Sequence, residues 1–209
     1  MIIVEGPDGS GKSTLVDRLA QTLRLPVASK VVGADTQPLL NIRQWTESNV
    51  EKGFQPVIFD RHRLISEPIY GPAMRKRQDA EFYDLGWLSD MMWRFYQANP
   101  VIIYCLPDIL TVRENVLRED TDNAAVKEHI VAIYAGYVAR ASMDFTRGVG
   151  RLYNYKTTRF DDIVGWVNFK LEGKVSDDHR IRLPFPRNEG VHPGSDHRGL
   201  RPSARRSAD

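Results

Sequence analysis

Residues 6–13 read Gly-Pro-Asp-Gly-Ser-Gly-Lys-Ser and follow directly on the apolar run Met1-Ile2-Ile3-Val4. After them Leu15, Leu19 and Leu23 recur at helical spacing. This is the pattern G-x-x-x-x-G-K-[ST] in the setting that it requires, at the end of a strand and the start of a helix. Glycines let the backbone curl so that successive N–H groups and the helix N-terminus converge on phosphate. The expected nucleotide-binding set is Gly6, Pro7, Asp8, Gly9, Ser10, Gly11, Lys12, Ser13 and Thr14. Lys12 is expected to reach the β- and γ-phosphates of ATP, and the Ser13 hydroxyl to join the shell of a magnesium ion. A chain that begins this way must place its first strand inside a mainly parallel sheet and its first helix on a face of that sheet.

The rest of the chain alternates in the same manner. Strands are expected at residues 1–5, 26–30, 56–60, 101–105 and 151–155, the fourth being the most apolar. Helices are expected at 12–23, about 37–51, 79–97, 108–118, 124–145 and 161–171. Strand-helix alternation implies an α/β fold of the P-loop NTPase kind, three layers deep, with a five-stranded mainly parallel sheet covered on both faces.

With 209 residues, 42% of them hydrophobic and 27% charged, the chain is long enough for one well-buried domain plus an appendage. The division is expected at Gly173: a kinase-sized domain over 1–173 and a tail over 174–209. The tail carries a net charge of +3 against −1 for the body, with four prolines and three glycines, so disorder is expected there. It reads either as an arm for a polyanion or as a solubilising terminus. No apolar run approaches the roughly 20 residues of a membrane span. The N-terminus shows no signal-peptide pattern, and a lone Cys105 suits a reducing compartment, so a cytoplasmic location and no membrane partner are expected.

A second cluster follows the third expected strand: Asp60-Arg61-His62, then Ser66-Glu67 and Tyr70-Gly71. Ligands in such sheets bind outside the carboxyl ends of the strands, so Asp60 and Arg61 should face the same crevice as the glycine-rich loop. Asp60 is a candidate for holding magnesium through water or for accepting a proton; Arg61 is a candidate clamp for an acceptor phosphate. His62 reads as structural. The basic run Arg75-Lys76-Arg77 is either a DNA contact or a solvated helix edge. Trp45, Phe54, Tyr70, Trp87 and Trp93 are available to stack on a base or to fill the core. The acidic stretch 119–123 is either a mobile lid or a turn in which Asp122 or Asn123 caps the next helix.

On the phosphate loop, the Asp60-Arg61 pair, the downstream helix and the length, the chain resembles the thymidylate kinase family over residues 1 to about 173. The resemblance implies a nucleoside monophosphate kinase-like fold that uses ATP and Mg2+, with Asp60 and Arg61 at the acceptor and Arg113 and Arg118 as lid arginines. The stretch Asp60-Arg61-His62-Arg63-Leu64-Ile65-Ser66-Glu67-Pro68-Ile69-Tyr70-Gly71-Pro72 departs from bacterial members and is more similar to bacteriophage members. Some of those phosphorylate the 5-hydroxymethyl group of hydroxymethyluracil already in DNA, a step of thymidine hypermodification. That reading makes the catalytic set Lys12, Asp35, Asp60, Arg61, Arg113 and Arg118, with Ser13 and Asp60 toward the metal. Asp35 resembles the carboxylate that deoxynucleoside kinases place after their second strand; an exposed loop acid is its other reading. The alternative acceptor is dTMP or another deoxynucleoside monophosphate. An ATP-binding regulatory or motor-type NTPase is a third class, against which Asp60-Arg61 speaks. DNA is a possible substrate, and a homodimer is among the expected assemblies.

Overall fold

The computed structural model describes residues 1–28, 44, 46–50, 57–74, 84–118 and 124–176. Four strands, β1 (Ile2–Glu5), β2 (Ile58–Asp60), β3 (Val101–Cys105) and β4 (Gly150–Tyr153), form one parallel sheet in the order β2-β1-β3-β4. Ile3 lies opposite Phe59 on one side and Ile102 on the other, and Glu5 lies opposite Tyr104. Every residue of β1 and β3 is buried. These two strands have neighbours on both edges and helices on both faces, which is why their sequences are unbroken apolar runs rather than alternating ones.

The alternation of side chains along the strands splits the core in two. Ile2, Val4, Ile58, Ile103 and Cys105 pack against Leu15, Val16 and Leu19 of α1 (Lys12–Leu23) and Ile163 and Val167 of α6 (Phe160–Ser176). Ile3, Phe59, Ile102 and Tyr104 face the other way. They pack against α2 (Arg63–Met74), α3 (Leu85–Gln97) and α5 (Ala124–Thr146) through Leu64, Ile65, Met91, Phe95, Ile133 and Tyr137. A smaller cluster joins α4 (Ile109–Arg118) to α5 through Val112, Val116, Val126 and Ile130. The result is the expected three-layer α/β/α arrangement.

The sheet has four strands among the described residues, not the five expected. Of the segment expected as a second strand at 26–30, the described residues 26–28 make one parallel bridge, between Val27 and Ile58 at the outer edge of β2. Ile58 donates to the Pro26 carbonyl at 2.9 Å and Ala28 to the Ile58 carbonyl at 2.7 Å. Pro26 has no N–H to extend this ladder backwards, and residues 29–30 lie outside the described residues. At the opposite edge β4 ends at Tyr153, because Asn154 opens a turn: its carbonyl accepts from Thr158 at 2.7 Å.

Helix α2 is the main difference from the sequence reading, which has no helix there. Pro68 and Pro72 both lie inside it, and each removes an internal hydrogen bond. Burial offsets the loss: Leu64, Ile65, Ser66, Glu67 and Gly71 all face inward. Ile69 packs so closely on Gly136 of α5 that a Cβ at Gly136 would lie 2.9 Å from the Ile69 Cγ2. Helix α3 starts at Leu85, capped by the Asp84 carboxylate, which accepts from the Trp87 N–H at 2.9 Å. Asp108 caps α4 in the same way through Thr111. Of the helix expected at 37–51, residues 46–50 are helical and the remainder lies almost wholly outside the described residues. No described helix is long and apolar enough to cross a membrane.

Candidate functional site

The site forms where β1, at the centre of the sheet, runs out between its two neighbours. Strand order reverses there, since β2 and β3 lie on opposite sides of β1, and such a point opens a crevice at the carboxyl ends of the strands. The loop after β1 fits closely into it. Gly6 has φ +144°, and a Cβ there would sit 2.5 Å from the Cys105 carbonyl oxygen at the end of β3. Gly11, at φ +83°, starts α1 in the left-handed conformation beneath the Tyr155 ring, which would be 3.1 Å from an added Cβ. Both positions therefore exclude side chains, and the loop wraps into a nest.

Within the nest, the Lys12 Nζ donates to the Pro7 carbonyl at 2.6 Å, and the Ser10 hydroxyl donates to the same oxygen at 2.7 Å. Burial pushes Lys12 down to about 8, assisted by the charge of Arg61. Its ammonium is thus poorly solvated and ready to trade a carbonyl for a phosphate oxygen. Ser13 and Thr14 are exposed on the first turn of α1.

At the end of β2 the backbone turns sharply. The Arg61 N–H still donates to the Val4 carbonyl at 3.0 Å, continuing the ladder, but Arg61 itself has φ +68°. This conformation is costly for a side chain with a Cβ, and it aims the guanidinium at the glycine-rich loop. The Arg61 Nη2 donates to Asp8 Oδ1 at 2.6 Å and to the Tyr70 hydroxyl at 2.7 Å, while Tyr70 donates to Asp8 Oδ2 at 3.0 Å. The guanidinium also lies 4.7 Å from the centre of the Tyr70 ring. Burial pushes the Asp8 carboxyl up, but the charges of Arg61 and Lys12 and the two hydrogen bonds outweigh it and hold Asp8 below its usual range.

Beneath this pair lies a buried carboxylate. Glu5, the last residue of β1, accepts from the His62 N–H at 2.6 Å and from the Tyr137 hydroxyl at 3.1 Å, so it ties β1 to the start of α2 and to α5. Burial raises it to about 7. The His62 ring packs between Phe59 and Phe95, and burial pushes it down to about 3, which leaves a neutral imidazole in the core. Its position agrees with the structural role expected for it. Ser66 and Glu67 are also buried, the Ser66 hydroxyl donating to the His62 carbonyl at 3.3 Å.

The far wall of the loop comes from α4 and the turn after β4. The Asn115 amide donates to the Gly9 carbonyl at 2.8 Å and to the Tyr155 hydroxyl at 3.2 Å. The Lys156 Nζ donates to the Thr111 hydroxyl at 2.6 Å.

Of the residues predicted from sequence, the structure brings together the loop from Gly6 to Thr14 with Asp60 and Arg61. Asp60 lies near enough to Lys12 for its charge to act on the ammonium. Arg113 and Arg118 are exposed on α4, with Arg118 3.9 Å from Glu114, while the face of α4 that meets the loop presents Asn115 and Val116. Asp35, Trp45, Phe54, the run Arg75 to Arg77, the stretch 119–123 and the tail from 177 lie outside the described residues. Glu5, Asn115, Tyr137, Tyr155 and Lys156 were not singled out for the site from sequence. An acid at the end of an unbroken apolar strand was a signal for Glu5; nothing in the sequence marked the others.

No group of three or more His, Cys, Asp or Glu side chains converges among the described residues. Magnesium fits this donor set nonetheless, because it keeps several waters, takes phosphate oxygens from its substrate and needs few protein ligands, all of them oxygen. The Ser13 hydroxyl and the Asp60 carboxylate have that chemistry.

No protein-family model matches the chain, and no curated protein matches it in sequence. Solved structures do match. The YorR protein of Bacillus subtilis, in complex with phosphorylated GDP, superposes with a TM-score of 0.59 at 20% identity, covering 85% of this chain and 99% of that one. The chain shares the α/β fold of that protein. The deoxyadenosine kinase of M. mycoides with bound dATP shares the fold at a TM-score of 0.52 and 13% identity, over 82% of this chain and 98% of its own.

Proposed function

We propose that the chain is an ATP-dependent phosphotransferase of the thymidylate kinase-like group, acting on the 5-hydroxymethyl group of 5-hydroxymethyluracil in phage DNA. The observation that carries the kinase reading is the juxtaposition of the phosphate nest with Arg61 across one crevice. Lys12 and Ser13 serve the donor, and Asp60 and Arg61 flank the acceptor. A strained arginine aimed at the loop from the next strand supports phosphoryl transfer to an acceptor held beside it. That similar folds belong to a deoxyadenosine kinase and to a protein crystallised with phosphorylated GDP supports a nucleoside or nucleotide acceptor.

The state of Arg61 supports a hydroxyl acceptor over a phosphate one. Its guanidinium is matched by Asp8, so the acceptor side is near neutral rather than strongly cationic. A hydroxymethyl oxygen keeps its proton until transfer and needs a carboxylate more than an arginine clamp. Asp60 and Asp35 are the proposed bases, and Arg113 and Arg118 the proposed lid arginines.

In the proposed mechanism the loop N–H groups and Lys12 hold the β- and γ-phosphates of ATP. Magnesium, when bound through Ser13 and Asp60, would supply neutralisation of phosphate charge. The nest and α1 orient the γ-phosphate, and Arg61 lines the acceptor side. The proposal includes the basic tail as a DNA contact and a homodimer as the assembly.

The deciding test is transfer of labelled phosphate from ATP with magnesium to dTMP, to hydroxymethyl-dUMP and to hydroxymethyluracil-containing duplex DNA in parallel. Label is expected in the modified nucleoside of the DNA. Label in dTDP alone would replace this reading with that of a nucleoside monophosphate kinase, and transfer that survives Lys12→Ala would remove the kinase reading altogether.

A further inference from the structure

Resting on the reading of Arg61 as an acceptor-side cation, we propose that the buried carboxylate of Glu5 is the positioning residue for Arg61. By capturing the His62 N–H it turns the end of β2 out of strand geometry and so aims the guanidinium into the crevice. Successive N–H groups of a strand point to opposite edges. In β2 the Ile58 N–H donates outward, to the Pro26 carbonyl at 2.9 Å, and the Arg61 N–H donates inward, to the Val4 carbonyl at 3.0 Å. Alternation would send the His62 N–H outward again. Instead it donates inward, at 2.6 Å, to Oε1 of Glu5, the residue after Val4. Two consecutive N–H groups face one neighbouring strand only when the residue between them leaves the extended region, and Arg61 does so at φ +68°.

The same contact sets the start of α2. The His62 carbonyl accepts from the Ile65 N–H at 2.9 Å and the Ser66 N–H at 3.0 Å, and its Nδ1 accepts from the Leu64 N–H at 3.3 Å. The residue that Glu5 holds is therefore the one on which the helix is built. Tyr70, further along α2, accepts from the Arg61 Nη2 at 2.7 Å. Glu5 thus fixes both the backbone of Arg61 and the helix that carries its hydroxyl partner. The side-chain contacts of Arg61 hold its tip alone: those to Asp8 and Tyr70 both leave from Nη2, and its buried Nε has no partner among the described residues. Burial opposes a carboxylate at the end of an apolar strand. Glu5 is kept there by the His62 N–H, by the Tyr137 hydroxyl of α5 at 3.1 Å and by the charges of Arg61 and Lys12.

The test joins crystal structures of the full chain, without substrate, to kinetics of the same variants. Glu5→Met keeps the reach of the side chain and removes the acceptor; Glu5→Gln keeps an acceptor oxygen and removes the charge. In Glu5→Met, Arg61 is expected at a negative φ with its guanidinium off Asp8, while Glu5→Gln keeps the wild-type turn. An Arg61 still left-handed and on Asp8 in Glu5→Met would overturn the proposal. Should Glu5→Met fail to fold, Glu5→Asp, one methylene short of the His62 N–H, must show the same displacement; an unmoved Arg61 there also overturns it. In transfer of labelled phosphate from Mg-ATP, kcat/KM for the acceptor should fall about a hundredfold in Glu5→Met, as for a displacement of about 1 Å at a reacting group. Glu5→Gln should recover it to within about fivefold of wild type. A general loosening of the fold would weaken Mg-ATP binding as much as transfer. Equal losses in those two readouts, or in Glu5→Met and Glu5→Gln, would therefore overturn the positioning role. A wild type that transfers to no acceptor would sink the functional reading, while the Arg61 backbone in the variant structures, read without turnover, still decides the role of Glu5.

Discussion

On the proposed role of Lys12, its buried ammonium should make phosphate binding sensitive to pH in a range where lysine is ordinarily inert. Burial and the neighbouring Arg61 hold Lys12 at about 8 before a ligand arrives, whereas an unperturbed lysine titrates near 10.4. Only the ammonium can donate to a phosphate oxygen and offset its charge. If binding requires that form, the population able to bind falls from nearly all of the protein at pH 7 to about one-tenth at pH 9, and the apparent affinity for Mg-ATP falls about tenfold. The sign is that of a base: affinity is retained below the free-state value and lost above it. Equilibrium titration with Mg-ATP from pH 7 to 9.5 at constant ionic strength measures this, with Lys12→Arg as the reference, because a guanidinium stays charged throughout. Glu5 also titrates nearby, near 7, so the series is repeated in Glu5→Gln to isolate the lysine. An affinity flat to pH 9.5 in the wild type, or a fall equally steep in Lys12→Arg, would refute the assignment of Lys12 as the phosphate-contacting cation.

Two further outcomes concern stability. Glu5 is raised from 4.5 in the unfolded chain to about 7 in the fold, so the folded state binds the extra proton and stability is lost as pH rises from about 4.5 through 7. The Glu5 contribution amounts to about 3 kcal/mol. Burial holds His62 at about 3, so its titration makes stability rise over part of the same window in wild type and variant alike. The readout is therefore the difference between wild type and Glu5→Gln in urea unfolding, which should fall by about 3 kcal/mol from pH 4.5 to above 7; parallel pH profiles in the two would exclude Glu5 as its source. Asp144 on α5 is fully buried and accepts from the Tyr96 and Tyr104 hydroxyls and from Arg140 at 3.0 Å, with Arg147 at 3.6 Å. Asp144→Ala strands that cationic and phenolic shell and should cost roughly 3–5 kcal/mol, about 10 °C in Tm for a chain of this size; a fall below about 3 °C would show that water or rearrangement satisfies the shell.

The sequence carried the architecture wherever a local pattern was sufficient. The apolar runs of β1 and β3 announced buried parallel strands, and the loop from Gly6 to Ser13 fixed what joined β1 to α1. The apolar spacing of α3 and α4 was plain as well, although their caps, Asp84 and Asp108, were not read from it. The pattern failed at α2, where Pro68 and Pro72 speak locally against a helix and only burial against α5 supports one. At residues 26–28, the described part of the strand-like run expected at 26–30, a bridge to Ile58 forms at the sheet edge. In both places the deciding term was packing between segments far apart in the chain, which local propensity does not contain.

The site divides in the same way. The sequence by itself determined that a glycine-rich loop joins β1 to α1, that Lys12 and Ser13 open the helix after it, and that Asp60 and Arg61 end a strand beside it, since each follows from residue type and spacing along a few consecutive positions. Tertiary structure alone decided that Glu5 lies between His62 and Tyr137, that Asn115 and Tyr155 wall the loop, and that Arg61 is held by Asp8 and Tyr70. These contacts join residues up to 132 positions apart. They arise because a parallel sheet brings the carboxyl ends of separate strands together while helices from distant parts of the chain close over them, and burial then makes an ordinary glutamate or lysine behave unlike its free form.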